Sequence, residues 1–423
     1  MKVLIVSALP YNLSSSTRAF RTYFHSFGKD DLAQIYTNPC APDFSFCNNF
    51  YQITDKRVFK NHFSRRKDPG LMLDPTCKCV AFRDKQVSKN SVLKKDIGLI
   101  HLIRLSIWKE KFWFTQKLIK WVNDFKPDCI FYHNSSSLFI SKIAFTISDF
   151  FNLPLVVEIS DDYYFSKRIP LLFETIYNKK YRNFFRAMLK RADGCFFISE
   201  KMKQKYALFN ISNSDCIHIS GERCVDSNPN IIKTGTFCYF GNTGLNRSKT
   251  LIKLAKKLSS INENVSIDIY SPVNGNGGFK NKKQYKGIKQ CGFLEYEMLI
   301  SKIQEYEYIV IAEPLDCKYA KYISLSLSTK IADTMCLGKK IICVGNDLSG
   351  TVEYIRDNKC GMVISTAKEI NNLSLKQIND FDWSDAVQNC RRMFEKDFSF
   401  DKNSNKSLEI LEKAIQNRGV QNG

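Results

Sequence analysis

Two stretches of this chain share one order: an apolar run of strand length, a turn of small residues, then a helix with one apolar face. Val3-Leu4-Ile5-Val6 runs into Ser7-Ala8-Leu9-Pro10-Tyr11-Asn12, and Ser14 to Thr17 stand ready to cap a helix bearing Phe20, Tyr23, Phe24 and Phe27. Far downstream, Thr236-Phe237-Cys238-Tyr239-Phe240 runs into Gly241-Asn242-Thr243-Gly244, after which Leu251, Ile252, Leu254, Ala255 and Leu258 recur at helical spacing. Strands without polar alternation are buried on both faces, and helices between them imply parallel pairing. More units follow each start. In the first half, a helix bearing Leu118, Trp121, Val122 and Phe125 breaks at Lys126-Pro127-Asp128. It leads to a strand at Cys129–Tyr132, a helix from Ser137 to Phe151, strands at Leu155–Ile159 and Gly194–Ser199, and a helix from Glu200 to Phe209. In the second half, Val265, Ile267 and Ile269 mark a strand, Leu299 to Tyr306 a helix and Tyr308 to Ala312 a strand. The expected class is therefore α/β, with two tandem Rossmann-like domains facing a central cleft.

At 423 residues the chain exceeds what one core usually serves. The expected layout is a first domain over 1–222 with a loop-rich insertion at about 40–100, and a hinge at 223–232. A second domain over 233–380 and a C-terminal helical segment, 381–423, packing back towards the first complete it. The hydrophobic content of 44% is that of a globular protein, not a disordered one. The most apolar long stretch, Leu138 to Val157, is broken by Lys142, Asp149, Asn152 and Pro154, so it is unsuited to crossing a bilayer. Met1-Lys2 leads straight into a strand with no cleavage pattern after it, so a cytoplasmic location is expected, with peripheral contact on the inner face of the membrane.

The 15 cysteines include Cys129, Cys195 and Cys343 inside apolar runs, where reduced thiols act as small hydrophobes. Cys40, Cys47, Cys77 and Cys79 lack a zinc-site spacing, and no metal is expected. The formal charge of +21 calls for an anionic partner: nucleic acid, membrane or a phosphate-bearing substrate. No zinc finger, RNA-recognition signature or basic zipper is present, which disfavours nucleic acid. Trp108, Trp113 and Trp121 alternate with Lys109, Lys111, Lys117 and Lys120. Likewise Tyr181, Phe184, Phe185 and Met188 alternate with Arg182, Arg186 and Lys190. These segments read either as helices lying on anionic lipid or as ordinary amphipathic helices with aromatic faces in the core.

Chemistry concentrates in the second half. Gly241, Asn242 and Gly244 form a turn that lets backbone N–H groups approach an anion, and Arg247 and Lys249 follow it at a helix start. The bland reading of the two cations is a solvated first turn. In Ser328-Thr329-Lys330-Ile331-Ala332-Asp333, a cation and a carboxylate three residues apart share neighbouring parts of a helix face. Lys330 suits phosphate and Asp333 suits ribose hydroxyls; a surface ion pair between the two is the competing reading. Gly350 opens a further helix whose first turn carries Glu353, a second ligand contact or simply a first-turn acid.

These segments resemble the two-domain GT-B glycosyltransferases, family 4 in particular, of bacterial capsular and surface polysaccharide assembly. Phe240 to Arg247 is similar to that family's glycine turn, and Gly292-Phe293-Leu294-Glu295 to the loop before its base-contacting helix. Thr329-Lys330-Ile331-Ala332-Asp333 is similar to its Ser-Lys-Leu-x-Glu element, and Cys360-Gly361-Met362-Val363 to its next strand entry. In the first half, Asp161-Asp162-Tyr163-Tyr164 and Ile198-Ser199-Glu200-Lys201-Met202 resemble capsular members. The resemblance implies transfer of a sugar from a nucleotide-sugar donor to a lipid-linked oligosaccharide, with retention of anomeric configuration and no metal cofactor. It also implies that Arg247 and Lys330 meet the diphosphate, and that Phe293, Thr329, Asp333, Gly350 and Glu353 hold the donor. His133, at the end of its strand, and Asp161 are the candidates from the first domain. The chain departs from the family in two places: Asp333 is one methylene shorter than the usual Glu, and Leu325 stands where an acidic partner is usual. A sugar-nucleotide epimerase on the same fold and a basic nucleic-acid-binding protein are the alternative readings.

Overall fold

The computed structural model describes residues 1–422 apart from 14–15, 65–67, 77–96, 166–171, 222–231, 272–278 and 280–283. Cys77, Cys79, part of the 40–100 insertion and all but the last residue of the expected hinge lie outside the described residues. The chain forms two compact units, one of residues 1–217 with 404–423, the other of 218–403.

The first unit is built on eight strands: β1 (Val3–Ser7), β2 (Leu32–Tyr36), β3 (Asn49–Ile53), β4 (Gly70–Leu73), β5 (Cys129–His133), β6 (Leu155–Ile159), β7 (Gly194–Phe197) and β8 (Ser214–Cys216). Their spatial order is β4-β3-β2-β1-β5-β6-β7-β8, and every pairing is parallel except β3 with β4. The chain reverses its direction of growth between β1 and β5, whose residues are buried throughout, as strands covered on both faces must be. An aromatic cluster of Phe20, Tyr23, Phe24, Phe131 and Phe196 covers one face in edge-on and tilted contacts.

The second unit has six strands: β9 (Lys233–Phe240), β10 (Ile267–Tyr270), β11 (Ile288–Gly292), β12 (Tyr306–Ala312), β13 (Lys340–Val344) and β14 (Met362–Ile364). Their order is β11-β10-β9-β12-β13-β14 and all pairings are parallel. The reversal falls between β9 and β12. In such sheets the turns at the carboxyl ends of the two reversal strands splay apart and leave room for a ligand.

The structure shifts some sequence-based boundaries. The helix expected at Leu299–Tyr306 spans Tyr296–Ile303, and β12 starts at Tyr306 rather than Tyr308. Tyr306 is drawn into the sheet because its hydroxyl donates to Asp268 Oδ2 at 2.6 Å. The short strands β2, β8 and β11 escape a periodicity reading. The basic aromatic segments are corrected as lipid-facing elements: Trp108, Trp113, Tyr181, Phe185 and Met188 are buried, and Trp121 packs on the Tyr51 ring at 5.2 Å. Their lysines stay exposed while the aromatic faces fill the core. No helix among the described residues is long and apolar enough to cross a membrane.

The last helix, Phe400–Asn422, ends in the first unit. Ser407 Oγ donates to the Tyr23 carbonyl at 2.6 Å, Asn213 Nδ2 donates to the Ile410 carbonyl at 2.8 Å, and Leu411 and Ala414 are fully buried. Leu411→Ala is expected to cost about 2–4 kcal/mol. Hydrogen exchange should show the loss in β1, β7 and β8 while β9 to β14 keep their protection; uniform loss over both sheets would refute this assignment of the helix.

Candidate functional site

Of the residues singled out in the second half, Gly241, Asn242, Gly244, Arg247 and Lys249 follow the carboxyl end of β9, Phe293 follows β11, Thr329, Lys330 and Asp333 precede β13, and Gly350 and Glu353 follow it. After Phe240 the chain passes Gly241 at φ +99°, where a Cβ would sit 2.7 Å from Lys330 Cε. Glycine is therefore what lets the Lys330 stem lie against this turn. The Gly244 N–H donates to Asn242 Oδ1 at 2.6 Å, and the Tyr239 hydroxyl donates to the Asn242 carbonyl. Leu245 and Asn246 both adopt left-handed backbone, φ +54° and +64°, before the helix Arg247–Ile261 begins. A leucine held there costs on the order of 1 kcal/mol or more, a strain that clusters at functional turns.

Arg247 does not hang in solvent. Its Nε and one terminal nitrogen each lie 2.9 Å from Glu313 Oε2. Glu313 follows the last residue of β12 and is 1% exposed; its backbone carbonyl accepts from Thr250 Oγ1 at 2.9 Å and its N–H donates to the Val344 carbonyl at 2.8 Å. A buried carboxylate needs such a partner, because desolvating it alone is costly. Glu313 was missed from sequence. The available signal was its place directly after the strand Tyr308–Ala312, where α/β sheets carry ligand-facing residues.

Lys330 heads the helix Lys330–Cys336. Its Nζ lies 5.4 Å from the centre of the Tyr239 ring and has no ion-pair or hydrogen-bond partner among the described residues. Burial, reinforced by the neighbouring Arg247 guanidinium, pulls its pKa down to about 8 against the opposing pull of Glu313 and Asp333. Asp333 is not the surface ion-pair partner of Lys330. It is buried, and its Oδ1 accepts from the Tyr296 hydroxyl at 2.7 Å. Thr329 is exposed at the head of the same helix and makes no side-chain cap bond. Beside it, the Ser328 N–H donates to Thr351 Oγ1 at 3.0 Å. A Cβ on Gly350 would sit 2.8 Å from the Ser324 and Ser326 carbonyls, so glycine allows the helix Gly350–Asp357 to start against this loop. Glu353 is half-buried in its first turn. Phe293 is 48% exposed just past β11, in the loop ahead of Tyr296. Lys249 is exposed and forms no ion pair among the described residues.

The first unit holds the other two candidates. His133 ends β5 at that sheet's reversal point, with Nδ1 2.6 Å from Glu158 Oε2 and Phe20 edge-on to its ring. Burial works to lower the His133 pKa, but the Glu158 carboxylate outweighs it and holds the pKa above the usual value. Asp161 is exposed and accepts from the Tyr163 hydroxyl at 3.0 Å. Asp162 accepts from the Phe165 and Tyr164 N–H groups and from the Tyr206 hydroxyl, which makes it the brace of this turn. Among the described residues no group of three His, Cys, Asp or Glu side chains is placed to hold a metal.

A lysine whose pKa lies near 8 carries more neutral amine at that pH than an ordinary lysine and acylates faster. Lys330 should label before Lys249 with an amine-acylating reagent, with a half-point near the pKa of about 8. Inorganic pyrophosphate should slow it, because a bound anion raises the pKa. Equal rates for the two lysines, or no effect of pyrophosphate, would contradict this electrostatic picture.

Residues 79–220 match the family described as Glycosyltransferase Family 4. Among curated protein sequences there is no match. Solved structures are similar over nearly the whole chain. Anabaena Alr3699/HepE, solved in complex with UDP, superposes with a TM-score of 0.58 at 12% identity, covering 97% of this chain and 100% of that one. A glycosyltransferase from Rickettsia africae gives 0.57 at 14% identity, covering 98% and 99%. S. aureus TarM, in complex with UDP among other ligands, gives 0.59 at 12% identity, covering 97% and 99%. At these identities the structures establish the fold, and all but the last three residues of the family match lie in the first unit. With that match, and with two sheets of the GT-B kind, the chain is a glycosyltransferase resembling family 4.

Proposed function

We propose that this enzyme transfers a sugar from a nucleotide-sugar donor to a lipid-linked glycan in capsular or surface polysaccharide biosynthesis, working at an anionic membrane. The observation that carries the donor half of this reading is the Lys330 ammonium. It is left without an anionic partner beside Arg247, at the carboxyl ends of the two reversal strands. Arg247 is already paired with Glu313 and Asp333 accepts from the Tyr296 hydroxyl, so the Lys330 ammonium is the charge left for a diphosphate to complete. HepE, with the same fold, has been solved with UDP-glucose, which supports a uridine nucleotide as the first donor to test.

In this reading the departing diphosphate gathers charge as the glycosidic bond to the leaving oxygen breaks. Arg247, fixed by Glu313, and Lys330 stabilise that charge without reorganising, and no metal is required of them. The N–H groups of the Gly241–Gly244 turn and the start of the helix Arg247–Ile261, with Lys249 nearby, approach the phosphates. Asp333, steadied by Tyr296, takes the ribose hydroxyls; Phe293 offers an exposed ring to the base; Thr329, Gly350 and Glu353 border the donor. His133 and Asp161 are the first unit's contribution to sugar and acceptor.

A thermal-shift panel of UDP, GDP and related nucleotides should raise the melting temperature with at least one of them. Arg247→Ala should lower turnover by roughly 100-fold or more, the scale for removing a positioned donor to a developing anion, and should also lower the melting temperature of the folded protein by leaving Glu313 unpaired. Absence of any nucleotide response would overturn the donor site, and full activity in Arg247→Ala would remove that residue from it.

A further inference from the structure

The basic aromatic segments at 108–121 and 181–190 turn their rings into the core, so a bilayer would have to be met elsewhere. We infer that the first unit binds an anionic bilayer through the surface formed by three packed helices, Asp55–Ser64, Ile97–Ile107 and the beginning of Leu172–Arg191. The choice of a bilayer as the occupant rests on the lipid-linked acceptor proposed above.

Fourteen large apolar side chains are exposed among the described residues, and five of them fall on these three helices. On the first helix, Lys56, Phe59, Lys60 and Phe63 recur at three- and four-residue spacing, so they line one exposed stripe. Phe63 is 73% exposed, and its ring meets that of Phe59 edge-on at 5.0 Å. On the third helix, exposed Phe173 and Ile176 are followed by exposed Lys179 and Lys180. The middle helix packs against both of the others and adds exposed Ile103. Its Gly98 comes so close to the backbone of Phe173 and Glu174 that a Cβ would clash at 2.2 Å, and Arg104 pairs with Asp55 at 2.9 Å.

Charge complementarity selects the partner. The only acids on the three helices are Asp55, taken up by Arg104 and by the Trp108 indole N–H, and half-buried Glu174. Exposed rings interleaved with lysine stems, and acids that are few or already paired, match the boundary of an anionic bilayer, where rings enter the acyl edge and ammonium groups meet the headgroups.

The full chain should co-sediment at low salt with vesicles of phosphatidylglycerol and phosphatidylcholine, and much less with phosphatidylcholine alone or at high salt. Phe59→Ser with Phe63→Ser, and separately Lys56→Glu with Lys60→Glu, should each weaken binding by about tenfold or more. All four side chains are on the surface, so melting temperature, the nucleotide thermal shift and transfer to a water-soluble acceptor should stay at parental values. Binding that is unchanged in both variants, equal on neutral vesicles, or absent in the parent would overturn the assignment. So would light scattering showing that the stripe is buried between two copies of the chain. A parent that binds vesicles through this stripe but answers no nucleotide would leave the surface standing and remove the donor site.

Discussion

Lys330 and Arg247 come together because β9 and β12 are neighbours in the second sheet while the strands beyond them run off in opposite directions. Parallel pairing sends every strand the same way, so the turns after β9 and β12 emerge side by side at one edge. The first turn brings Gly241 and Arg247, the second brings Glu313, and the helix before β13 brings Lys330. Arg247 and Glu313, which pair across the two turns, are 66 positions apart in the chain. Moving either of the first two turns would leave Glu313 or Arg247 without its counterpart, and that makes them mutually dependent.

The balance of charge inside this cluster points to its ligand. Glu313 is satisfied by Arg247, and Asp333 takes a hydroxyl from Tyr296. Lys330 has the face of Tyr239 5.4 Å away and no ion pair among the described residues, and burial with the repulsion of Arg247 outweighs the attraction of Glu313 and Asp333. Partial burial penalises its charge and the neighbouring cation adds to the penalty, so an arriving anion relieves both. Asp333 is shorter than the acid usual in family 4, and the Tyr296 hydroxyl holds the shorter carboxylate in place. The missing upstream acid falls at Leu325, in the loop whose neighbouring carbonyls, Ser324 and Ser326, crowd Gly350.

In the first unit, charge is buried as a pair. His133 ends β5 and Glu158 is next to last on the adjacent β6, and their 2.6 Å contact is set by the register that places them opposite one another. The surrounding Phe20 and Tyr23 come from the helix region after β1, so the pair depends on the first strand–turn–helix unit as well. The aromatic residues that give this half its composition build the core, and a different set of rings, on Asp55–Ser64 and Leu172–Arg191, reaches the surface.

The repeated order of apolar run, small-residue turn and amphipathic helix determined the α/β class, the doubling of the sheet, and the placing of Gly241, Arg247, Lys330 and Asp333 near strand ends. Those are local properties, because strand burial and helix periodicity are written in neighbouring residues. The place of Glu313 after a strand was legible, but its pairing was not, since a single acid there carries no pattern until the sheet order puts it opposite Arg247. Which face of the 108–121 and 181–190 helices meets the core was illegible for the same reason: an aromatic stripe has the same periodicity whether lipid or protein covers it. Only tertiary packing decided these, because burial and electrostatic pairing depend on which distant segments become neighbours.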